Sequence, residues 1–180
     1  MKYVVIGGAG AMGSITVRDL VETFPDKDEI IIADYNIEKA KEMAATFTKS
    51  TKKKVKAVKV DVNDKEKTIH DLSGASIILN SVQYQFNILL MEIALGLKAH
   101  YIDLGGLFHT TKKQLELDSQ FKKIGKIALI GMGAAPGITN ILASYIAKEM
   151  DTVKEIHIRL GSKDQTRYKP KPALSTSYSL

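Results

Sequence analysis

The chain has no cysteine and no tryptophan, and only four prolines and four histidines in 180 residues. Without cysteine there is no disulfide, no thiolate metal site and no cysteine nucleophile. His70, His100 and His157 have no partners at metal-ligand spacing, so no metal site is expected. No apolar run reaches the roughly 18 residues that a membrane-spanning helix needs. Residues 1–6 read as a strand, not as the charged start of a secretory leader. The expectation is a cytoplasmic protein with no membrane partner. The formal net charge of +6 is spread along the chain and concentrates only at Lys49 to Lys56. No aromatic side chain interleaves those lysines, so a solvated loop is preferred to a nucleic-acid patch and no nucleic-acid partner is expected. A basic surface would still help to draw in an anionic cofactor.

What is present is concentrated at the start. Lys2-Tyr3-Val4-Val5-Ile6 is an apolar run that ends in Gly8-Ala9-Gly10-Ala11-Met12-Gly13. An amphipathic stretch follows, then Ile30-Ile31-Ile32-Ala33-Asp34. The order is strand, glycine turn, helix, strand, acid, the context in which a GxGxxG string reads as a dinucleotide-binding fingerprint. Gly8 would permit the tight turn, Gly10 would let a pyrophosphate approach the backbone, and Gly13 would let the helix pack on the strand. The first-turn N–H groups and the positive helix end would face the phosphates. Asp34 lies 21 residues past Gly13, where a carboxylate can accept from both ribose hydroxyls. It repels a 2′-phosphate, and Tyr35 and Asn36 offer no arginine to receive one. NAD is therefore expected over NADP.

The rest of the chain alternates strand and helix. Val17, Leu20, Val21 and Phe24 give a helix over about 11–24, ended by Pro25-Asp26. Strands are expected at 29–33, 55–60, 75–79, 101–104, 126–131 and 153–160. Helices are expected at 37–48, 65–71, 86–97, 111–124 and 137–150. The pattern predicts an α/β fold, a Rossmann-type doubly wound parallel sheet with helices on both faces. The nearly all-apolar helix 86–97 reads as buried under the sheet, with a homodimer face as the alternative. After Met150 the pattern changes. Val153 to Leu160 alternates in polarity, and the segment from Gly161 to Leu180 has no periodicity. The expectation is a dinucleotide-binding domain over 1–150 and, over 151–180, the opening of an incomplete second domain.

Four strings resemble the saccharopine dehydrogenase-like family, and within it the L-lysine 6-dehydrogenase branch. They are Gly8 to Gly13, Tyr84-Gln85-Phe86-Asn87, Tyr101 to Gly106, and Gly133-Ala134-Ala135-Pro136-Gly137-Ile138-Thr139-Asn140. The resemblance implies a nicotinamide-linked oxidoreductase acting on the amine of an amino acid, lysine or saccharopine. It also implies a Rossmann domain followed by a catalytic domain, with the small-molecule substrate enclosed between them. A second class, a non-catalytic NAD-sensing module, remains open.

Ligands bind at the carboxyl ends of such strands, so site candidates are sought there. Cofactor contacts are expected from Gly8, Gly10, Ala11, Met12, Gly13, Asp34 and Tyr35, from Asp61 and Val62 near the adenine, and from Asn80 and Ser81 near the nicotinamide ribose. The alternative for Asn80 is a strand-end cap. Tyr84 would shape the substrate pocket or relay a proton, or serve as core. Asp103, before the glycine pair Gly105-Gly106, would act in catalysis or cap its own turn, with Gly106 near the substrate. His109 is the histidine nearest the crevice, as acid/base or as a structural residue. Pro136-Gly137 opens a helix with Asn140 in its first turn, and free N–H groups there would hold a substrate carboxylate or merely start the helix.

Overall fold

The computed structural model describes residues 1–161. Six strands form one sheet in the order β3-β2-β1-β4-β5-β6: β1 Lys2–Ile6, β2 Glu29–Asp34, β3 Lys54–Lys59, β4 Ile77–Asn80, β5 His100–Asp103 and β6 Ala128–Leu129. Every neighbouring pair is parallel. The helices are α1 Ala11–Thr23, α2 Ile37–Ser50, α3 Lys65–Asp71, α4 Asn87–Gly96, α5 Phe108–Leu115, α6 Asp118–Lys123 and α7 Ile138–Ala147. A parallel sheet covered on both faces needs continuous apolar strands. β1 meets that demand, with Val4, Val5 and Ile6 at most 1% exposed.

Side chains leave a strand on alternate faces, and β1 divides the core accordingly. Tyr3 and Val5 pack with Val17, Leu20, Ile30, Ile32 and Ala44, under α1 and α2. Val4 and Ile6 pack with Ile31, Ile78, Leu90, Ile93 and Phe121, under α4 and α6. The expected burial of the apolar fourth helix is met. The strand order reverses between β1 and β4, so a crevice opens above their carboxyl ends.

Three expectations need correction. The helix expected over 111–124 is two helices, α5 and α6. At the join, the Glu116 and Leu117 N–H groups donate to carbonyls only three residues back, Lys113 and Gln114. That tightening turns Gln114 and Phe121 both inward. The strand expected over 126–131 is two residues long, because Gly131 leaves the ladder at φ +71°. Val153 to Leu160 makes no strand. Alternation supplies a face but not a neighbour, and no described strand lies beside it to complete a ladder. The stripe Ile138, Ile141, Leu142, Tyr145 and Ile146 does line α7, but each of these side chains is more than half exposed. The expectation of an aperiodic tail concerns residues that, beyond Gly161, lie outside the described ones.

The lysine-rich segment runs from the end of α2 through a short bend at 51–53, the expected connecting loop, into the edge strand β3, which begins at Lys54. Lys54 and Lys56 reach Glu29 on β2 at 3.3 and 2.8 Å. Hydrogen bonding from Lys56 holds the Glu29 carboxyl below its ordinary value, against the opposing effect of burial. Its stabilising contribution is complete above the ordinary carboxylate range and is lost as the pH falls through the lowered value. Lys53 is buried and donates to the Val21 carbonyl near the end of α1, where a cation complements the helix dipole.

Candidate dinucleotide site

The turn between β1 and α1 is built from glycines with different tasks. The tight turn belongs to Gly7, at φ +71°, not to Gly8. Gly8 lacks a side chain for lack of room: a Cβ there would stand 2.9 Å from the Val5 carbonyl oxygen and 3.0 Å from the Ile32 side chain. A Cβ on Gly13 would stand 2.1 Å from the Gly7 oxygen and 2.7 Å from the Gly8 Cα, so α1 sits directly on the turn. Gly10 differs. Its Cβ would meet only the Gly7 oxygen, at 3.1 Å, and otherwise face open space. The first helical bond runs from Ser14 N–H to the Gly10 carbonyl at 3.0 Å. The N–H groups of Ala11, Met12 and Gly13 thus have no intrahelical acceptor, and the positive end of α1 opens on the crevice.

Asp34 ends β2 opposite that turn. Its Oδ2 accepts from Ala9 N–H and its Oδ1 from Asn36 N–H, both at 2.9 Å. These bonds fix the carboxylate, and each oxygen keeps further acceptor capacity for a hydroxyl. Beside it the Tyr35 ring is 70% exposed, with Lys59 Nζ 5.8 Å from its centroid. Parallel register pairs Asp34 with Lys59, a cation that inspection of the residues following Asp34 does not find. Asp61 Oδ1 accepts from the backbone and side-chain N–H groups of Asn63, which shapes the turn after β3.

These residues enclose a cleft of about 660 Å³. Of the expected cofactor residues, Gly10, Ala11, Met12, Asp34, Tyr35, Asp61, Val62 and Ser81 line it, while Gly8 and Gly13 lie beneath as packing. Gly7, Val60, Val82, Gln83 and Phe86 also line it. Sequence reasoning selected none of these as cofactor contacts: Gly7 lies outside the GxGxxG spacing, Val60, Val82 and Phe86 are apolar wall residues without a chemical signature, and Gln83 is a lone amide in the segment after β4.

Asn80 does not face the cleft. It is 3% exposed, and both its amide hydrogens are used, on Asn87 Oδ1 at 2.9 Å and Tyr101 Oη at 3.0 Å. Its oxygen accepts from Val82 N–H at 3.0 Å. The strand-end cap is the geometry observed. Asp103 likewise turns inward, at 1% exposure. Its Oδ1 accepts from Gly105 and Gly131 N–H, each at 2.8 Å, and its Oδ2 from Gln114 Nε2 at 2.6 Å. A carboxylate so committed organises two turns and is not presented to a substrate. Burial, and next the nearby Asp103 charge, push the Tyr101 phenol far above its ordinary value, so it stays protonated.

The other expected residues lie toward the β5 and β6 ends. Tyr84 opens a short 3-10 turn and is half-buried. A Cβ on Gly106 would stand 2.7 Å from the Tyr84 Cβ, so Gly106 is glycine to admit that ring. His109 is exposed on α5. The start of α7 offers no free donors. Ile138, Thr139 and Asn140 N–H donate to the carbonyls of Gly133, Ala134 and Gly137, and Gly137 N–H to Asn140 Oδ1 at 3.2 Å. Pro136 packs against Gly105 and Gly131. The expected carboxylate cradle at Pro136, Gly137 and Asn140 is closed by the loop's own carbonyls. Among the described residues no group of histidine, aspartate and glutamate is placed to hold a metal, and no helix is long and apolar enough to cross a membrane.

The strand order, the open face at Gly10, the free N–H groups of α1 and the fixed Asp34 carboxylate define a Rossmann domain suited to a dinucleotide. The family model for the saccharopine dehydrogenase NADP-binding domain matches residues 3–129, and the chain belongs to that family. A curated relative, carboxyaminopropylagmatine dehydrogenase of Synechocystis sp., is 29% identical over 158 residues, 82% of this chain and 38% of that protein. Saccharopine dehydrogenase (L-Glu forming) of Saccharomyces cerevisiae superposes with a TM-score of 0.69 at 18% identity, over 82% of this chain and 31% of that one. UDP-glucose-4-epimerase of Stenotrophomonas maltophila with bound NAD shares the fold alone, at a TM-score of 0.52 and 13% identity over 72% of this chain and 52% of that one. The chain thus spans about a third of the length of the two dehydrogenases. The cofactor class the family takes is a nicotinamide dinucleotide.

Proposed function

We propose that the chain is the cofactor-binding part of an NAD-dependent oxidoreductase that removes hydride from an amine-bearing carbon of an amino-acid-like substrate. The observation that carries the reading is the open Gly10 face, with unpaired N–H groups on one side and Asp34 on the other. The nicotinamide supplies the hydride acceptor when bound. The chain's own part is to hold the pyrophosphate at Ala11 to Gly13, the adenosine ribose at Asp34 and the adenine near Tyr35 and Val62. The imine left after hydride loss is hydrolysed by water. A base must keep the amine neutral, since an ammonium has no lone pair to assist hydride departure. Tyr84 and His109, whose polar atoms have no described partners, are the candidates this chain supplies. The dehydrogenases named above, for saccharopine and for a carboxyaminopropyl derivative of agmatine, support an amine near a carboxylate; lysine is the alternative.

Asp34 favours NAD because its charge opposes a 2′-phosphate. Lys59 favours a second reading in which NADP also binds, as does the family's description. Calorimetric titration with both cofactors tests the choice. NAD is expected to bind at least about tenfold more tightly, a difference of about 1.4 kcal/mol. Asp34→Ala should narrow the gap and Asp34→Ala with Lys59→Gln should reopen it; equal affinities in the wild type would sink the preference.

The exposed α7 stripe and the short span of the chain against its relatives support a second domain that covers α7 and completes the substrate pocket. Positioning of the reacting carbon can supply roughly 7–11 kcal/mol of a barrier, so a half-built pocket forfeits most of the rate. Little or no NADH should form when the 180-residue chain is offered lysine or saccharopine. Robust turnover would show the pocket complete without further chain. Absence of turnover from the full reading frame as well would favour the sensing module.

A further inference from the structure

Behind the cleft a chain of buried polar side chains runs from the cofactor side to the glycine turns. Val82 N–H, at the cleft wall, donates to Asn80 Oδ1 at 3.0 Å. Asn80 Nδ2 donates to Asn87 Oδ1 at 2.9 Å. Asn87 Nδ2 is shared between Gln114 Oε1 and the Gly105 carbonyl, both at 3.4 Å. Gln114 Nε2 donates to Asp103 Oδ2 at 2.6 Å, and Asp103 Oδ1 accepts from Gly105 and Gly131 N–H. Asn80, Asn87, Asp103 and Gln114 are each at most 3% exposed.

Glutamine is mostly an exposed residue type. Burying its amide beside a carboxylate is costly unless every bond is made, and apolar residues of similar volume would be cheaper to bury. Gln114 also has an unusual place in the chain. It comes from α5, the helix that follows β5, and its two polar atoms join Asp103 to Asn87, 27 residues earlier in the chain. One end of the chain is a residue of the cleft wall. The other is the pair of turns above the β5 and β6 ends, the half of such a sheet that takes the second nucleotide of a dinucleotide.

We propose that Gln114 is a positioning residue: through Asp103 and Asn87 it sets the Gly105–Gly106 and Gly131 turns against the nicotinamide half of the bound dinucleotide. The proposal rests on the reading of the cleft as a dinucleotide site. It separates the nicotinamide ring from the rest of the ligand. ADP-ribose carries the adenosine, the pyrophosphate and the second ribose but no nicotinamide ring, whereas NADH also presents that ring to the turns.

The test uses the 180-residue chain, as wild type, Gln114→Leu and Asp103→Asn. Calorimetry measures NADH and ADP-ribose, and fluorescence reads the environment of the bound nicotinamide. Gln114→Leu is expected to weaken NADH about tenfold and ADP-ribose less than about twofold, with the emission of bound NADH moving toward that of the free cofactor. Asp103→Asn, which turns an acceptor of two N–H groups into an amide, should act in the same direction. Equal losses for both ligands would mean a structural role only and would overturn the proposal, as would unchanged NADH affinity and emission. Should Gln114→Leu fail to fold by circular dichroism, Asp103→Asn decides by the same criteria; failure of both to fold assigns the network to stability and overturns the positioning role. A wild-type chain that binds neither ligand would reject the cleft reading itself, an outcome visible before any variant is made.

Discussion

Gly10→Val is expected to abolish NADH binding, with a loss of at least about 100-fold, or about 2.8 kcal/mol, while the protein stays folded. The backbone at Gly10 is extended, with φ −75° and ψ 177°, which a branched residue adopts readily. The added Cβ meets only the Gly7 oxygen at 3.1 Å, a contact relieved by a shift of a few tenths of an ångström. The two methyl groups would then stand in the open space that the pyrophosphate needs, in front of the Ala11 and Met12 N–H groups. Loss of bound-NADH fluorescence with a thermal midpoint near that of wild type is the expected pair of results. Undiminished affinity would show that phosphates do not approach Gly10.

Gly13→Ala is expected to fail for the opposite reason, by loss of the fold. Its Cβ would stand 2.1 Å from the Gly7 oxygen and 2.7 Å from the Gly8 Cα. Both are backbone atoms that cannot rotate away, so α1 would have to lift from the sheet and expose Val17, Leu20 and Val21, now at most 3% exposed. Overpacking of a well-filled site costs about 1–3 kcal/mol and more where only backbone can yield. A destabilisation of about 3 kcal/mol or more is therefore expected in urea unfolding, against a small change for Gly10→Val. A Gly13→Ala protein as stable as wild type would show that the close approach of α1 is not required.

The glycine string shows where sequence reading stops. Spacing places the motif at Gly8, Gly10 and Gly13, and the strand, helix and acid around it are where the pattern sets them. It could not decide which of the adjacent Gly7 and Gly8 carries the positive φ, because that depends on the Ala33 carbonyl that receives both N–H groups. Asn80 and Asp103 show a second limit. Each ends a strand at the ligand edge, which marks both as site candidates. Whether such a side chain turns outward or inward depends on hydrogen-bond partners remote in sequence, the Tyr101 hydroxyl that accepts from Asn80 and the Gly131 N–H that donates to Asp103 among them. Gln114 carried no signal at all, since a single glutamine in an amphipathic helix reads as surface. Val153 to Leu160 shows the third: polarity alternates as a strand requires, but a ladder is a property of two segments. Lys59 was missed because it reaches the Asp34 corner through strand register, not through its place in the sequence.

The lysines of β3 bear on how two copies of this protein meet. As an edge strand, β3 offers a row of backbone groups to any passing strand, and the easiest passing strand is another β3. Two such edges laid side by side would bring Lys54, Lys56 and Lys59 of one molecule against the same residues of the other. Glu29 neutralises part of that charge only from within its own sheet. The lysines of β3 thus oppose the pairing of two copies through this edge, while the crevice at the carboxyl ends of the strands stays open.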